Sequence, residues 1–362
     1  MKRILLMLTL ALVALAGCKK DPMPGQDATA FESPANCYIV SQAGAYSFKT
    51  VKGNSSESVG NVASAEVLWE SFGTDVTPNV GDLVNNVTYR DGKITFTATD
   101  KKGNAVIAAK DASGEILWSW HIWLTDQPNG QIYYNNAGTM MDRNLGAISV
   151  TPSDVGALGL MYQWGRKDPF LGSSSFRDNV FAKSTITWPA GVSSNSTNGK
   201  IDYAIAHPTT FIARGHYNGD WLYTGTSSTD NTRWTNSKEE KSIYDPCPAG
   251  WRVPDGGPDG VWAKALGCSE KIDYESELIM PGTFCLNFAY KLGSQSSIIY
   301  PLAGCWSDEA LTEVGANCFV WGAVPDYPDD VKAYMLVTLR RIVFPAETGD
   351  PASCYSVRCC RE

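Results

Sequence analysis

The stretch that decides the fold is Tyr244-Asp245-Pro246-Cys247-Pro248-Ala249-Gly250-Trp251-Arg252-Val253-Pro254. A second, shorter segment near the end of the chain, Tyr355-Ser356-Val357-Arg358-Cys359, belongs with it. Both segments carry a cysteine, and the sequence between them is rich in turn residues and aromatic residues. This layout predicts a module of short strands and long loops whose beginning and end are held together. The irregular segments between the two ends would then be free to present a binding surface.

The composition favours short strands and turns over long helices. The 362 residues include 33 glycines, 19 prolines, 12 tryptophans, 16 tyrosines and 12 phenylalanines. A chain of this length is long for a single core and predicts two domains. The formal net charge of −8 falls to −10 if Lys2 and Arg3 are removed with a leader. An acidic chain has no electrostatic attraction for nucleic acid, so no nucleic-acid partner is expected.

The N-terminus predicts export and lipidation. Lys2 and Arg3 precede an apolar run, residues 4–16, which is shorter than the roughly 20 residues of a spanning helix. The run ends in Leu15-Ala16-Gly17-Cys18, which resembles a bacterial lipobox. We expect residues 1–17 to be a signal peptide, Cys18 to carry lipid, and residues 18–34 to form a flexible tether. The alternative is an ordinary secretory leader with an incidental cysteine.

Residues 35–126 predict an antiparallel β-sandwich of the immunoglobulin-like kind. Short apolar segments alternate with turns, and in Ile116–Leu124 every second residue is apolar, which is the period of a strand. His121 lies on the other face of this strand, where a surface or half-buried position is expected. The turn cluster at residues 126–130 predicts the boundary between two domains.

The cysteines beyond Cys18 are candidates for disulfides in an oxidising compartment. Their number is odd, so at least one remains unpaired within the chain. Neither a Cys-x-x-Cys spacing nor a histidine cluster occurs, so no metal site and no cofactor are predicted. The nine cysteines are Cys37, Cys247, Cys268, Cys285, Cys305, Cys318, Cys354, Cys359 and Cys360.

The second half of the chain mixes short elements with long loops. The spacing in residues 159–165 predicts a short helix that ends at Gly165, and residues 261–266 predict another that is stopped by Gly267. Residues 173–236 are rich in Ser, Thr, Asn and Gly and predict surface loops. The tryptophans of these loops, Trp188, Trp221 and Trp234, would either contact a ligand or hold the loops in place.

Five motifs stand in a characteristic order in this half of the chain. They are Met141-Asp142-Arg143-Asn144-Leu145-Gly146-Ala147, Tyr162-Gln163-Trp164-Gly165-Arg166-Lys167-Asp168-Pro169-Phe170, Asp245–Pro254, Gly304-Cys305-Trp306-Ser307 and Tyr355–Cys359. Together they resemble the Fibrobacter succinogenes major paralogous domain, which is abundant in secreted and lipid-anchored proteins of Bacteroidetes-type bacteria. The resemblance covers residues 135–362.

The resemblance implies a C-type lectin-like fold for residues 135–362. The whole chain would then be mainly β, with an N-terminal antiparallel β-sandwich followed by an α+β C-terminal domain. In this fold the chain ends lie together, and we expect a disulfide between Cys247 and Cys359. Cys354 and Cys360 depart from the family pattern, since a small and an aliphatic residue are expected there. Bonding the adjacent Cys359 and Cys360 would strain the backbone.

Relatives of this fold imply where a ligand would bind. In variable receptors that are diversified by retroelements, the variable positions lie between a Trp-Ser pair and the last strand. Here these landmarks are Trp306-Ser307 and Tyr355–Cys359. The implied ligand-binding residues are Asp308, Glu309, Trp321, Asp326, Tyr327, Tyr334, Arg340, Arg341, Phe344 and Glu347.

An enzyme is the less favoured interpretation. The formylglycine-generating relatives keep reactive cysteines in the region of Cys305 and Cys318, but neither aligns with a catalytic motif, and no catalytic residue is predicted. The calcium-binding signatures of lectins are absent from the chain. We therefore expect an adhesin, lipid-anchored at the outer membrane and the cell surface, that binds a protein or glycan. The alternative is a structural or tip subunit of a surface fibre.

Overall fold

The computed structural model describes residues 28–216, 218–227, 232–235, 240–274, 279–280, 282–288, 297–307, 310–325 and 332–362. The leader, Cys18 and most of the predicted tether lie outside these residues. The described part of the chain is mainly β, as predicted, and its two α-helices are short. No helix in that part is long and apolar enough to cross a membrane.

The first eight strands lie within residues 29–124. They are β1 (Thr29–Ala30), β2 (Cys37–Val40), β3 (Gly44–Lys49), β4 (Ser64–Ser71), β5 (Val84–Arg90), β6 (Lys93–Ala98), β7 (Gly103–Lys110) and β8 (Ile116–Leu124). They form two four-stranded sheets, in the orders β1-β3-β6-β5 and β2-β8-β7-β4. Phe48, Ile94 and Phe96 of one sheet and Trp120 and Ile122 of the other share one buried core, which makes this part a sandwich.

Two strand pairs of the sandwich are parallel, so the prediction of a purely antiparallel sandwich is wrong. β1 runs parallel to β3, and β2 runs parallel to β8. β2 and β3 follow each other in the chain but belong to different sheets, so they do not form an antiparallel hairpin with each other. β1 also shortens the predicted tether, because Thr29 and Ala30 already pair with Tyr46 and Ser47.

β8 has the predicted core-facing side, but its other side is buried as well. Trp118, Trp120 and Ile122 enter the sandwich core. His121 on the opposite side is only 1% exposed, which corrects the expectation of a surface or half-buried histidine. The cause is the second part of the chain, which packs on this sheet: Trp123 Nε1 donates to the Ala147 carbonyl at 3.1 Å.

Sixteen further strands and two helices follow in the described residues. The strands are β9 (Gly130–Tyr133), β10 (Gly138–Met141), β11 (Met161–Gln163), β12 (Val192–Ser193), β13 (Ile212–Ala213), β14 (Trp251–Arg252), β15 (Ile272–Asp273), β16 (Cys285–Asn287), β17 (Ile299–Pro301), β18 (Cys305–Ser307), β19 (Ala310–Thr312), β20 (Cys318–Pro325), β21 (Ala333–Thr338), β22 (Ile342–Gly349), β23 (Cys354–Ser356) and β24 (Cys360–Arg361). The helices are α1 (Ile201–Ala206) and α2 (Val261–Leu266).

The two ends of the second part meet in one small sheet. Its order is β14-β24-β10-β9, so the last described strand lies between β14, which is part of the Asp245–Pro254 segment, and the strand at Gly138–Met141. The predicted disulfide is confirmed: Cys247 and Cys359 are joined with an S–S distance of 2.03 Å. The beginning and the end of the module are therefore linked covalently as well as by strand pairing.

The Asp245–Pro254 segment is shaped by a buried carboxylate. Asp245 is 1% exposed and accepts hydrogen bonds from the backbone N–H groups of Cys247 and Val253, both at 2.8 Å. Burial outweighs these hydrogen bonds and the nearby Lys241 charge, and it raises the pKa of Asp245 to about 6. Asn36 of the sandwich donates to the Asp245 carbonyl at 2.8 Å, so the same residue also fixes the seam with the first part.

The larger sheet of the second part carries the predicted binding region. It has eight strands: the order along its path is β15-β22-β21-β20-β23-β18-β19, and β11 pairs with β23 beside that path. One face of β20–β22 packs with Trp262 and Tyr300, and the opposite face packs with Trp164 and Tyr355. The predicted last strand, Tyr355–Cys359, is divided into β23 and β24.

One helix prediction is confirmed and one is wrong. α2 spans Val261–Leu266 and ends at Gly267, whose φ of +68° suits glycine because it has no Cβ. Residues 161–163 form β11 instead of a helix and pair with β23. Every residue of β11 is buried, so the apolar spacing reflects a strand that is covered on both sides.

Candidate functional site

The predicted ligand-binding residues occupy three different environments. Arg340 and Arg341 are exposed in the turn between β21 and β22. Phe344 is half-buried and packs against the core face that holds Trp164 and Tyr355. Four of the predicted residues lie outside the described part of the chain, namely Asp308, Glu309, Asp326 and Tyr327.

Trp321 is not a surface residue, which corrects the prediction. It is fully buried on β20, its Nε1 donates to the Tyr162 carbonyl at 2.9 Å, and its ring lies 4.4 Å from that of Tyr355. β20 has neighbours on both sides, β21 and β23, so an aromatic residue on this face is covered by the core. Trp321 is therefore part of the core, and its side chain is not accessible at the surface.

Tyr334 and Glu347 are divided between the two faces of the sheet. Tyr334 packs on the turn at Gly256 and Gly257, since a Cβ on Gly257 would come within 2.7 Å of its ring. Glu347 pairs with Met335 on the neighbouring strand, and Met335 faces the Tyr355 side. Phe344 and Glu347 thus share with the buried Trp321 the face that leads towards Tyr355.

A polar cleft opens beside this face. It is lined by residues from three distant segments, and its volume is about 250 Å³. We call it the Ser307 cleft; its main lining residues are Phe211, Arg214, Ser307, Asp350, Ser353 and Tyr355. A cavity of this size is smaller than a typical drug-sized site and suits one sugar ring or one amino-acid side chain.

Aromatic packing builds the floor of the Ser307 cleft. Tyr355 stacks on Phe319 at 5.3 Å, and Trp306 stacks on Phe211 at 4.7 Å. Gly349 allows β22 to pass close to this floor, because a Cβ there would lie 2.8 Å from the Tyr355 ring. The cleft therefore has rigid walls, which lowers the cost of ordering side chains when a ligand binds.

The groups that line the Ser307 cleft are suited to hydrogen bonding. Arg214 supplies donors, Asp350 supplies acceptors, and the hydroxyls of Ser307 and Ser353 serve as both. Burial raises the pKa of the Tyr355 phenol, although a hydrogen bond with Ser353 opposes this, so the phenol stays protonated near neutral pH. The described residues that line the cleft include no histidine or cysteine, and the arrangement fits recognition of a polar group.

Sequence reasoning identified only part of this cleft. Ser307 and Tyr355 stood in the quoted motifs, but they were interpreted as landmarks rather than as ligand contacts. Arg214 comes from the long polar stretch, and Asp350 follows β22. Nothing in local sequence relates Arg214 to Asp350, since they are far apart in the chain and only the folded protein brings both to the cleft.

The tryptophans of the polar stretch hold loops in place. Trp221 and Trp234 are buried, and their indole N–H groups donate to the carbonyls of Trp164 and Arg166 at 2.8 and 3.1 Å. Trp188 is half-buried and packs on Trp69 of the sandwich at 5.6 Å. Of the two roles that the sequence left open, anchoring is the one that these contacts support.

The Arg233–Asp220 pair also anchors this stretch. Both side chains are fully buried, with Nη1 and Nη2 of Arg233 donating to the two carboxylate oxygens of Asp220 at 2.8 and 2.5 Å. The guanidinium also lies 4.5 Å from the Trp164 ring centre. Bidentate contact of this kind fixes both the position and the orientation of the loop.

A serine and a lysine meet in the seam between the sandwich and the second part. Lys167 Nζ lies 2.7 Å from Ser119 Oγ, and Ser119 Oγ donates to Asp168 Oδ1 at 2.6 Å. Serine–lysine pairs act as nucleophile and base in some hydrolases. The space beside Lys167 and Asp168 holds about one water-sized particle, about 10 Å³, so this cluster joins the two parts and leaves no room for a substrate.

The described cysteines other than Cys247 and Cys359, whose pairing the sequence left open, are unpaired thiols. Among the described residues, Cys37, Cys268, Cys285, Cys305, Cys318, Cys354 and Cys360 are free. Six of the seven are buried and pack as small apolar residues. Burial raises the pKa of Cys305, and it raises that of Cys318 to about 12, so neither thiol resembles an activated nucleophile.

The described residues include no group of three or more His, Cys, Asp or Glu side chains placed to hold a metal ion. Comparisons with family models, with curated proteins and with solved structures gave no match to this chain.

Proposed function

We propose that this chain is a lipid-anchored cell-surface binding protein, an adhesin, that recognises a protein or glycan at the Ser307 cleft. In this proposal residues 135–362 adopt a C-type lectin-like fold and the sandwich holds that domain away from the membrane. Lipid on Cys18 would attach the chain to the outer membrane.

The observation that carries the proposal is the position of the cleft. It opens between Ser307 and the strand that begins at Cys354, which are the landmarks that the family resemblance marks as the limits of the variable region. The Cys247–Cys359 disulfide closes the module covalently. A rigid scaffold with polar and aromatic residues at one opening is the arrangement expected of a recognition site.

The chemistry of the cleft favours a ligand with both donors and acceptors. Arg214 and Asp350 carry opposite charges, so the opening has no strong preference for one sign of charge. Hydroxyl groups of a sugar or the polar groups of a peptide would exchange hydrogen bonds with these side chains. The aromatic floor formed with Tyr355 would cover the apolar face of such a ligand.

The test is an array screen with matched variants. Purified protein is applied to glycan and protein arrays as wild type, as Asp350→Ala and as Arg90→Ala. Arg90 is an exposed control on β5 of the sandwich, with a side chain that is 89% accessible. Losing a hydrogen bond to a charged group costs about 1.5–3 kcal/mol, so Asp350→Ala should weaken binding about tenfold to hundredfold.

Arg90→Ala should bind like the wild type. Equal binding by Asp350→Ala and wild type would refute the cleft as the site. The absence of any ligand on either array would count against the adhesin itself. Thermal unfolding of each variant shows that a loss of binding is not a loss of folding.

A further inference from the structure

Arg358 is a fully buried cation that contacts no carboxylate among the described residues. It lies between β23 and β24, where Nε donates to Asn144 Oδ1 at 3.2 Å and Nη2 donates to the Ile299 carbonyl at 2.8 Å. Its guanidinium stands 3.8 Å from the Tyr300 ring centre. Nη1 has no hydrogen-bond partner among the described residues.

The neighbours of Arg358 do not supply a negative charge. Burial raises the pKa of both Tyr133 and Tyr300, so both phenols are neutral near pH 7. Arginine itself does not lose its proton in proteins. Burying a charge without a counter-charge strongly destabilises the folded state, so we expect Arg358 to have an anionic partner.

A small cavity adjoins this guanidinium. Its polar lining residues are Asp142, Arg143, Ser149, Thr151, Cys285 and Arg358. Arg143 contacts Asp142 through Nε at 2.8 Å and Asp126 through Nη2 at 2.8 Å, and Asp126 is also paired with Lys102, so these four charges cancel. Burial raises the pKa of the Cys285 thiol, which is therefore neutral. The lining thus carries one net positive charge, that of Arg358.

The cavity is too small for a polyatomic anion. Its volume is about 10 Å³, which is enough for one water molecule or one monoatomic ion. Sulfate or phosphate would not fit beside the lining atoms. The charge and the size of the site together point to a single small monovalent anion.

We propose that this cavity binds one halide ion, chloride under physiological conditions, through Nη1 of Arg358. The ion supplies the missing counter-charge and satisfies the unpaired N–H donors. Because Asp142 and Arg143 follow β10, Ile299 starts β17 and Arg358 precedes β24, the ion would join three segments of the second part. Chloride would accordingly stabilise the fold.

The direct test is bromide, which replaces chloride and scatters anomalously. Crystals of the full chain are soaked in sodium bromide, and an anomalous peak is expected within hydrogen-bonding distance of Arg358 Nη1. In solution, the midpoint of thermal unfolding is measured in sodium chloride, bromide and gluconate at one ionic strength. Chloride and bromide should raise the midpoint above that in gluconate, and the shift should grow with halide concentration.

Two variants accompany the solution test. Arg358→Met should unfold at the same midpoint in chloride and in gluconate, whereas Arg90→Met, which removes an exposed arginine, should keep the wild-type difference. If Arg358→Met does not fold, the anomalous peak and the halide dependence of the wild-type unfolding midpoint still test whether the cavity binds a halide. A bromide peak without any halide effect in solution means binding at crystal concentration only, and overturns the proposal. No peak and no halide effect means that a water fills the cavity, which overturns it as well.

Discussion

His121 makes the stability of the seam depend on pH, and the effect can be worked out from the structure. The imidazole is buried, Nε2 lies 2.9 Å from Asn104 Oδ1, and Nδ1 has no partner among the described residues. Asn104 donates through Nδ2 to the Gly146 carbonyl, so its Oδ1 accepts from Nε2–H of a neutral ring. Burial lowers the pKa of His121 to about 3.

The sign of the effect follows from which state takes up the proton. In the unfolded chain the pKa of His121 is near the ordinary histidine value of 6.5, whereas in the folded chain the ring stays neutral down to about pH 3. Between these values only the unfolded state gains a proton, so the free energy of unfolding falls as the pH falls. At 1.36 kcal/mol per pH unit, the loss from this residue is about 2 kcal/mol at pH 5.

The assay is chemical denaturation of wild type and His121→Gln at several pH values from neutral to pH 5. Glutamine keeps an N–H donor for Asn104 but does not titrate. The stability difference between the two proteins should therefore change by about 2 kcal/mol over this range, with the wild type losing more. A difference that is constant with pH would refute the assignment of a neutral, buried His121.

Other consequences can be measured in the same way. Burial raises the pKa of Asp245 to about 6, so its protonated carboxyl adds about 3 kcal/mol to the free energy of unfolding below about pH 4, and this stabilisation is lost as the pH rises through about 6. Denaturation curves should show that the free energy of unfolding of Asp245→Asn does not fall by this amount over the same pH range. Replacing Cys247 and Cys359 together by alanine opens a loop of 112 residues and should lower the free energy of unfolding by about 4–5 kcal/mol in denaturant titrations, whereas unchanged stability would contradict the linkage. Asp220→Ala leaves Arg233 buried without its partner and should cost about 3–5 kcal/mol; a double replacement by leucine and methionine should cost less, and an equal loss would argue against an unpaired charge as the cause.

Local patterns predicted the strands whose two faces differ. In Ile116–Leu124 every second residue is apolar, and this segment is a strand with those bounds. Met161–Gln163 was predicted as a helix because a strand buried on both faces has no alternation to reveal it. β5 and α1 were not predicted at all, since their short sequences carry no strong period.

The site was harder to predict than the fold because it depends on distant contacts. The burial of His121 and of Trp321 is imposed by segments that lie elsewhere in the chain. The Ser307 cleft joins Arg214, Ser307 and Asp350, which only the assembled sheet brings together. The Cys247–Cys359 bond was predicted because the family resemblance implied that the module closes at those two points.

The measurement that tests the central proposal most directly is the affinity of the cleft for the ligand that an array identifies. Titration calorimetry would compare wild type, Arg214→Ala and Arg90→Ala. Arg214→Ala removes the arginine of the cleft, whereas Arg90→Ala removes an exposed arginine of the sandwich and leaves the cleft unchanged. We expect the dissociation constant to rise about tenfold or more for Arg214→Ala and to stay unchanged for Arg90→Ala. Equal dissociation constants for all three proteins would contradict the assignment of ligand binding to the Ser307 cleft.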